Sequence, residues 1–149
     1  MRIGVHGRSM ASSLAPQVAD LLKRMDAHGL VPLLDEDITA WLRSNGQEVA
    51  AGALTRTAGR LKDIDMVMSL GGDGTFLDSV AMVGRAGIPV LGINLGRLGF
   101  LSNIALDSTD MAMESIAKGR VTLDGRSLLQ VDGAGQALGE LNFARNEPG

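Results

Sequence analysis

The chain contains no cysteine and no tyrosine, and its only aromatic residues are Trp41, Phe76, Phe100 and Phe143. Without thiols, disulfides, zinc–thiolate sites and cysteine catalysis are excluded. The absence fits a reducing, cytoplasmic setting. So few rings leave little platform for stacking bases, which disfavours single-stranded nucleic acid as a partner. An excess of positive charge is missing as well: 14 Lys and Arg stand against 17 Asp and Glu, for a net charge of −3. Binding to nucleic acid rests largely on Lys and Arg contacts to phosphate, so this balance is a poor match. No apolar run approaches the roughly 20 residues that span a bilayer. Met1 to Gly7 turns polar too soon for a signal-peptide core. His6 and His28 lack partners at metal-ligand spacing and are read as structural, so no protein-bound metal site is expected. No G-x-x-x-x-G-K-[ST] loop is present.

The chain does have glycine and alternation. Twenty glycines in 149 residues lie well above the usual share of about 7%. Ile3–His6 reads as a first strand. Ser12 or Ser13 then opens a helix with Pro16 in its first turn and apolar residues at Val18, Leu21, Leu22 and Met25. Gly29 stands where a C-cap belongs. Leu30–Leu34 is predicted as a strand and Asp35–Gly46 as a helix carrying Trp41. Gln47–Arg60 has little periodicity and is expected to be loop or frayed helix. Ile64–Leu70 is a nearly continuous apolar run, the pattern of a strand buried on both faces. A helix follows over Thr75–Arg85, with Thr75 as N-cap, Asp78 three residues on, and Gly87 at its end. Ile88–Ile93 is another buried strand. Asp107 or Ser108 caps a last helix that reaches Lys118 and closes at Gly119.

Strands and helices alternate up to this point, which implies an open, mainly parallel sheet flanked by helices, a Rossmann-like α/β fold over residues 1–119. From Arg120 the character changes. Val121–Val131 and Gln136–Ala144 read as two strands joined by Asp132-Gly133-Ala134-Gly135, a hairpin turn. A lone hairpin is marginal in water. Residues 120–149 are therefore expected either to begin a second, β-rich domain that is mostly missing or to form an edge packed on the first domain.

Ligands of open α/β sheets bind beyond the carboxyl ends of the strands. Gly71-Gly72-Asp73-Gly74-Thr75 lies at such an end, between a buried strand and a helix N-terminus. Glycines let backbone N–H groups point inward and let phosphate approach, and the helix dipole favours an anion there. Asp73 is repulsive in a phosphate cradle by itself. It makes sense as a metal ligand, as a base that takes the proton of an attacking hydroxyl, or simply as a turn residue, since Asp-Gly is common in turns. Downstream, Arg97 is a candidate phosphate contact, and Asn94 either orients its segment or touches ligand. Arg8, Ser9, Ser12 and Ser13 are better read as a solvated, helix-capping loop than as phosphate ligands.

Taken with Leu91-Gly92-Ile93-Asn94-Leu95-Gly96-Arg97-Leu98-Gly99-Phe100-Leu101, the segment Leu70-Gly71-Gly72-Asp73-Gly74-Thr75-Phe76-Leu77 resembles NAD kinase. Asn146-Glu147 is a third match. The glycine motif alone is shared with lipid kinases of the diacylglycerol type and resembles a phosphofructokinase loop; the Gly92–Leu101 segment favours NAD kinase. The resemblance implies transfer of the ATP γ-phosphate, with magnesium, to the 2′-hydroxyl of the adenosine ribose of NAD; polyphosphate is the alternative donor. It implies Asp73 as the catalytic residue. Gly74 and Leu77 would lie along the nucleotide, Phe100 on the adenine, and Asn146 and Glu147 in hydrogen bonds to NAD. Gly71, Gly72 and Thr75 would line the donor-phosphate side. A homo-oligomer, dimer or tetramer, is implied for a full-length protein. Members of the family are usually much longer, and continue into an apolar strand where Pro148-Gly149 follow here. The alternatives are a lipid kinase and an inactive nucleotide-binding fragment.

Overall fold

A computed structural model describes residues 1–8, 10–48, 50–54, 56–57, 60–61, 63–96, 99–102, 104–127 and 141–145. In chain order the elements are β1 (Arg2–Gly7), α1 (Ala15–Ala27), β2 (Val31–Leu34), α2 (Glu36–Ser44), β3 (Gly52–Ala53), β4 (Arg56–Thr57), β5 (Arg60–Leu61), β6 (Met66–Leu70), α3 (Asp73–Val83), β7 (Val90–Asn94), β8 (Ile104–Ala105), α4 (Thr109–Ala117), β9 (Thr122–Arg126) and β10 (Leu141–Arg145). The main sheet runs β3-β2-β1-β6-β7-β10-β9, and β8 also pairs with β7. All its pairings are parallel except β10 with β9. This is the expected α/β architecture.

Burial explains why the central strands carry no alternation. Every residue of β6 and of β7 is buried. Met66, Met68 and Leu70 face a core built with Val18, Leu21, Leu22 and Met25 of α1, Ile38 and Leu42 of α2, and Met113 and Ile116 of α4. Val67 and Val90 face the other way, onto Phe76, Val80 and Val83 of α3. Helices thus cover both faces, as parallel sheets require. Three helices end in the same way. After α1, α2 and α4 the chain turns at Gly29, Gly46 and Gly119, with φ of 71°, 70° and 65°. At each end the next residue's N–H reaches back five positions: Leu30 to Met25, Gln47 to Leu42 and Arg120 to Ser115. This left-handed closure strongly favours glycine.

Several expectations are corrected. Helix α3 begins at Asp73, not after Thr75; Gly72 is its N-cap and no side chain caps it. Gly71, at φ 152°, turns the chain directly out of β6, so the N-cap of the helix falls at Gly72, three residues before Thr75. Its C-cap is Gly84 rather than Gly87. Ser12 and Ser13 do not cap α1: they lie in a 3-10 turn, Ser12–Leu14, that leads into it. A similar turn, Leu106–Ser108, precedes α4, whose N-cap is Ser108 as expected, although no side-chain hydrogen bond caps it. Within Gln47–Arg60 the expected loop contains β3, paired in parallel with β2 through Leu33↔Gly52 and Leu34↔Ala53, and the short β4–β5 pair. Two-residue strands have no periodicity to betray them; backbone pairing alone creates them.

Past α4, β9 and β10 run antiparallel from Leu141↔Arg126 to Arg145↔Thr122. β10 joins the main sheet by pairing with β7 at Phe143↔Val90. The turn Asp132–Gly135 lies outside the described residues.

Candidate functional site

The glycine loop sits at the carboxyl end of β6, where it opens α3. A Cβ at Gly71 would stand 2.5 Å from Oγ1 of Thr75, so this close turn over the first helical residues has no room for a side chain. At Gly72 and Gly74 a Cβ would meet nothing within 4 Å. These two residues are exposed and border open space, as a surface that receives a ligand must.

Asp73 occupies the first turn of α3, and the second glycine segment closes over it. Its Oδ2 accepts the Phe100 N–H at 2.9 Å, and its Oδ1 accepts those of Leu101 at 3.0 Å and Ser102 at 3.1 Å. The amide of Phe100, then those of Leu101 and Ser102, hold the Asp73 carboxyl below the usual aspartate range. Hydrogen bonds from N–H groups favour the charged form. A carboxylate offers about four acceptor directions in total, and here Oδ1 takes two donors and Oδ2 one. The direction left for a hydroxyl is on Oδ2. Gly99 makes this contact possible: a Cβ there would fall 2.2 Å from Oδ1 of Asp73.

Around this carboxylate the surface is apolar. Phe100 is 99% exposed, Leu77 50% and Leu101 39%. Leu77 follows Asp73 by one helical turn, so both flank the same end of α3. Thr75 is half-buried beneath the loop. Beside the loop, Arg8 pairs with Asp78 at 2.7 Å. This partner explains Asp78 better than a capping box. On the opposite face of the sheet a cleft of about 590 Å³ lies between α1 and the exit of β7, lined in part by Gln17, Arg24, Asn94 and Gly96. It does not include the glycine loop.

The structure thus brings Gly71, Gly72, Asp73, Gly74, Thr75, Leu77 and Phe100 to one place. Arg97, Asn146 and Glu147 lie outside the described residues, as does Ser9. His6 hydrogen-bonds through Nδ1 to the carboxylate of Asp35, whose other oxygen caps α2 through the Ile38 N–H at 2.8 Å. The residue that the sequence did not single out is Ser102, whose amide completes the set on Asp73. Nothing near Ser102 in the chain hints at a partner 29 positions away.

A parallel α/β sheet that presents a glycine loop and a carboxylate at its carboxyl edge defines the class: a Rossmann-like α/β fold of the nucleotide-binding type. Residues 10–121 match the family model of the ATP-NAD kinase N-terminal domain. The chain belongs to the NAD kinase family. An NAD kinase of Flavobacterium psychrophilum is 33% identical over 153 residues, covering 99% of this chain and 51% of the relative. One of Methanothermobacter thermautotrophicus is 30% identical over 154 residues, with 99% and 51% covered. The chain therefore spans about half the length of these curated relatives. Among solved structures, yeast NADH kinase complexed with NADH aligns with a TM-score of 0.69 at 18% identity, covering 94% of this chain and 46% of that one. That likeness speaks for the fold.

Proposed function

We propose that the chain carries the phosphate-transfer half of an NAD kinase, which moves the ATP γ-phosphate to the adenosine-ribose 2′-hydroxyl of NAD and releases ADP and NADP. The observation that carries this reading is the hold of Phe100, Leu101 and Ser102 on Asp73, which joins the two motifs into one site. Asp73 orients the hydroxyl through Oδ2 and receives its proton as the oxygen attacks phosphorus. A carboxylate held below its usual range is ionised at neutral pH and is a weak base. That suits a loose phosphoryl-transfer transition state, in which positioning and electrostatics dominate. Gly71, Gly72 and Thr75 take the donor phosphates. Gly74, Leu77 and Phe100 lie along NAD, and Phe100 offers its exposed ring to the adenine. Asn146 and Glu147 supply hydrogen bonds to NAD. Magnesium enters with ATP, as the counter-ion of its phosphates.

Residues 120–149 lead from the main sheet, which β9 and β10 extend, into a second, β-rich domain that completes the acceptor site and the oligomer, and the setting is cytoplasmic. Among the described residues no helix is long and apolar enough to cross a membrane. The test is NADP formation from NAD, ATP and magnesium, with Asp73→Asn beside the unsubstituted chain. A general base contributes about 10²–10⁴-fold, so turnover falls by that order. Turnover untouched by Asp73→Asn sinks the assignment. Binding of ATP and NAD at background turnover marks this chain as a binding module.

A further inference from the structure

Asn94 ends β7, and it is only 4% exposed. Its Oδ1 accepts the Gly96 N–H at 2.7 Å, and its Nδ2 donates to the Ser102 carbonyl at 3.1 Å. One side chain thus ties the beginning of the second glycine segment to its end. The task calls for an acceptor and a donor side by side on a short stem, which an amide supplies and a carboxylate does not. Ser102 in turn gives its N–H to Oδ1 of Asp73. Close packing reinforces the link: a Cβ at Gly92, two residues before Asn94 on the same face of β7, would meet both Cα and Oγ of Ser102 at 2.9 Å.

We infer that Asn94 is the positioning residue of this site: its amide closes the segment so that the Phe100, Leu101 and Ser102 amides converge on Asp73. Its consequence for turnover rests on the reading of Asp73 as the base; the convergence itself does not. Its two described hydrogen bonds are both to backbone, at Gly96 and Ser102. It acts through the backbone, by fixing where three donors stand and so which direction of Oδ2 is left for the hydroxyl.

The deciding experiment is a carbon-13 NMR titration of the Asp73 carboxyl in this chain, unsubstituted and with Asn94→Ala. Loss of the closure is expected to move the Asp73 midpoint up, toward that of an ordinary exposed aspartate, and to shift the Phe100, Leu101 and Ser102 amide protons upfield. An unchanged midpoint and unchanged amides in a variant with a dispersed, folded spectrum overturn the proposal. Should Asn94→Ala unfold, the unsubstituted chain decides. There, one Nδ2 proton of Asn94 is expected to exchange slowly with solvent, and rapid exchange of both overturns the proposal. Asn94→Asp keeps the Gly96 contact but turns an acceptor on the Ser102 carbonyl, so it should give the same upward shift as alanine. Turnover is read in parallel: kcat for NADP formation should fall on the order of 10²-fold, as for a misplacement of about 1 Å, with KM for NAD held. An unsubstituted chain without turnover counts against the function proposed above and leaves the titration as the judge of Asn94.

Discussion

Replacing Gly99 by alanine tests the site most directly. The added methyl would lie 2.2 Å from Oδ1 of Asp73, 2.6 Å from Cγ and 2.8 Å from Oδ2. Non-bonded heavy atoms settle at about 3.5–4.0 Å, so carboxylate and segment must part by roughly 1 Å or more. Bonds of 2.9–3.1 Å would then stretch toward 4 Å, and a contact beyond about 3.6 Å is no longer a hydrogen bond. A displacement of about 1 Å at a reacting group costs on the order of 10²-fold in rate. Two of the three contacts are exposed and the one from Ser102 is part-buried, so the stability cost is modest, about 1 kcal/mol. For a domain near this size that is a fall in Tm of less than about 4 °C. Gly99→Ala should therefore lose about 10²-fold in NADP formation while melting close to the parent. Met111→Ala, on the exposed face of α4, serves as a control without effect on turnover. Retained activity in Gly99→Ala, or a loss that merely follows unfolding, would refute the reasoning.

Other substitutions probe the scaffold and its charge. Gly92→Ala places a methyl 2.9 Å from Cδ2 of Phe76 and from Cα and Oγ of Ser102; overpacking of this kind costs about 1–3 kcal/mol, visible as a lower urea midpoint at unchanged m. Asp35→Ala removes the cap of α2 and strands Nδ1 of the buried His6. A lost cap costs about 0.5–2 kcal/mol and an unsatisfied buried polar group about 1–3 kcal/mol, so thermal unfolding should report a loss of several kcal/mol; a neutral variant would show that the pair is idle. The folded-state value of Asp73 lies below its ordinary 3.8. Its contribution is therefore present above that value and lost as pH falls through the lowered one. Asp73→Asn should accordingly flatten the acid end of the stability–pH curve and leave the neutral and alkaline region parallel to the parent. An unchanged acid limb would show that the amides do not hold the carboxylate in solution.

Much of the architecture was legible in the residue order. Nearly continuous apolar runs at Ile64–Leu70 and Ile88–Ile93 announce strands covered on both faces, because no alternation is needed where both sides are buried. Gly29, Gly46 and Gly119 mark helix ends through a left-handed turn that disfavours other residues. The glycine loop between a buried strand and a helix was legible too, with Gly71 at a φ of 152°. Short strands were not legible: β3 to β5 are two residues each and exist only through partners distant in the chain. Nor could propensity place the start of α3, where the turn at Gly71 overrode the capping pattern of Thr75 and Asp78.

For Asp73 the division is sharpest. The sequence by itself put a carboxylate among glycines at a helix N-terminus and left three roles open, as base, metal ligand or turn residue. Local chemistry is set by neighbours in the chain, so that much can be read from order alone. Only the tertiary structure brought the amides of residues 100 to 102 onto that carboxylate, with Asn94 closing the segment that carries them. Those contacts span 27 to 29 positions and depend on β6 and β7 lying side by side in parallel. Hydrogen bonds act over about 3 Å, and only folding brings such distant backbone within that range.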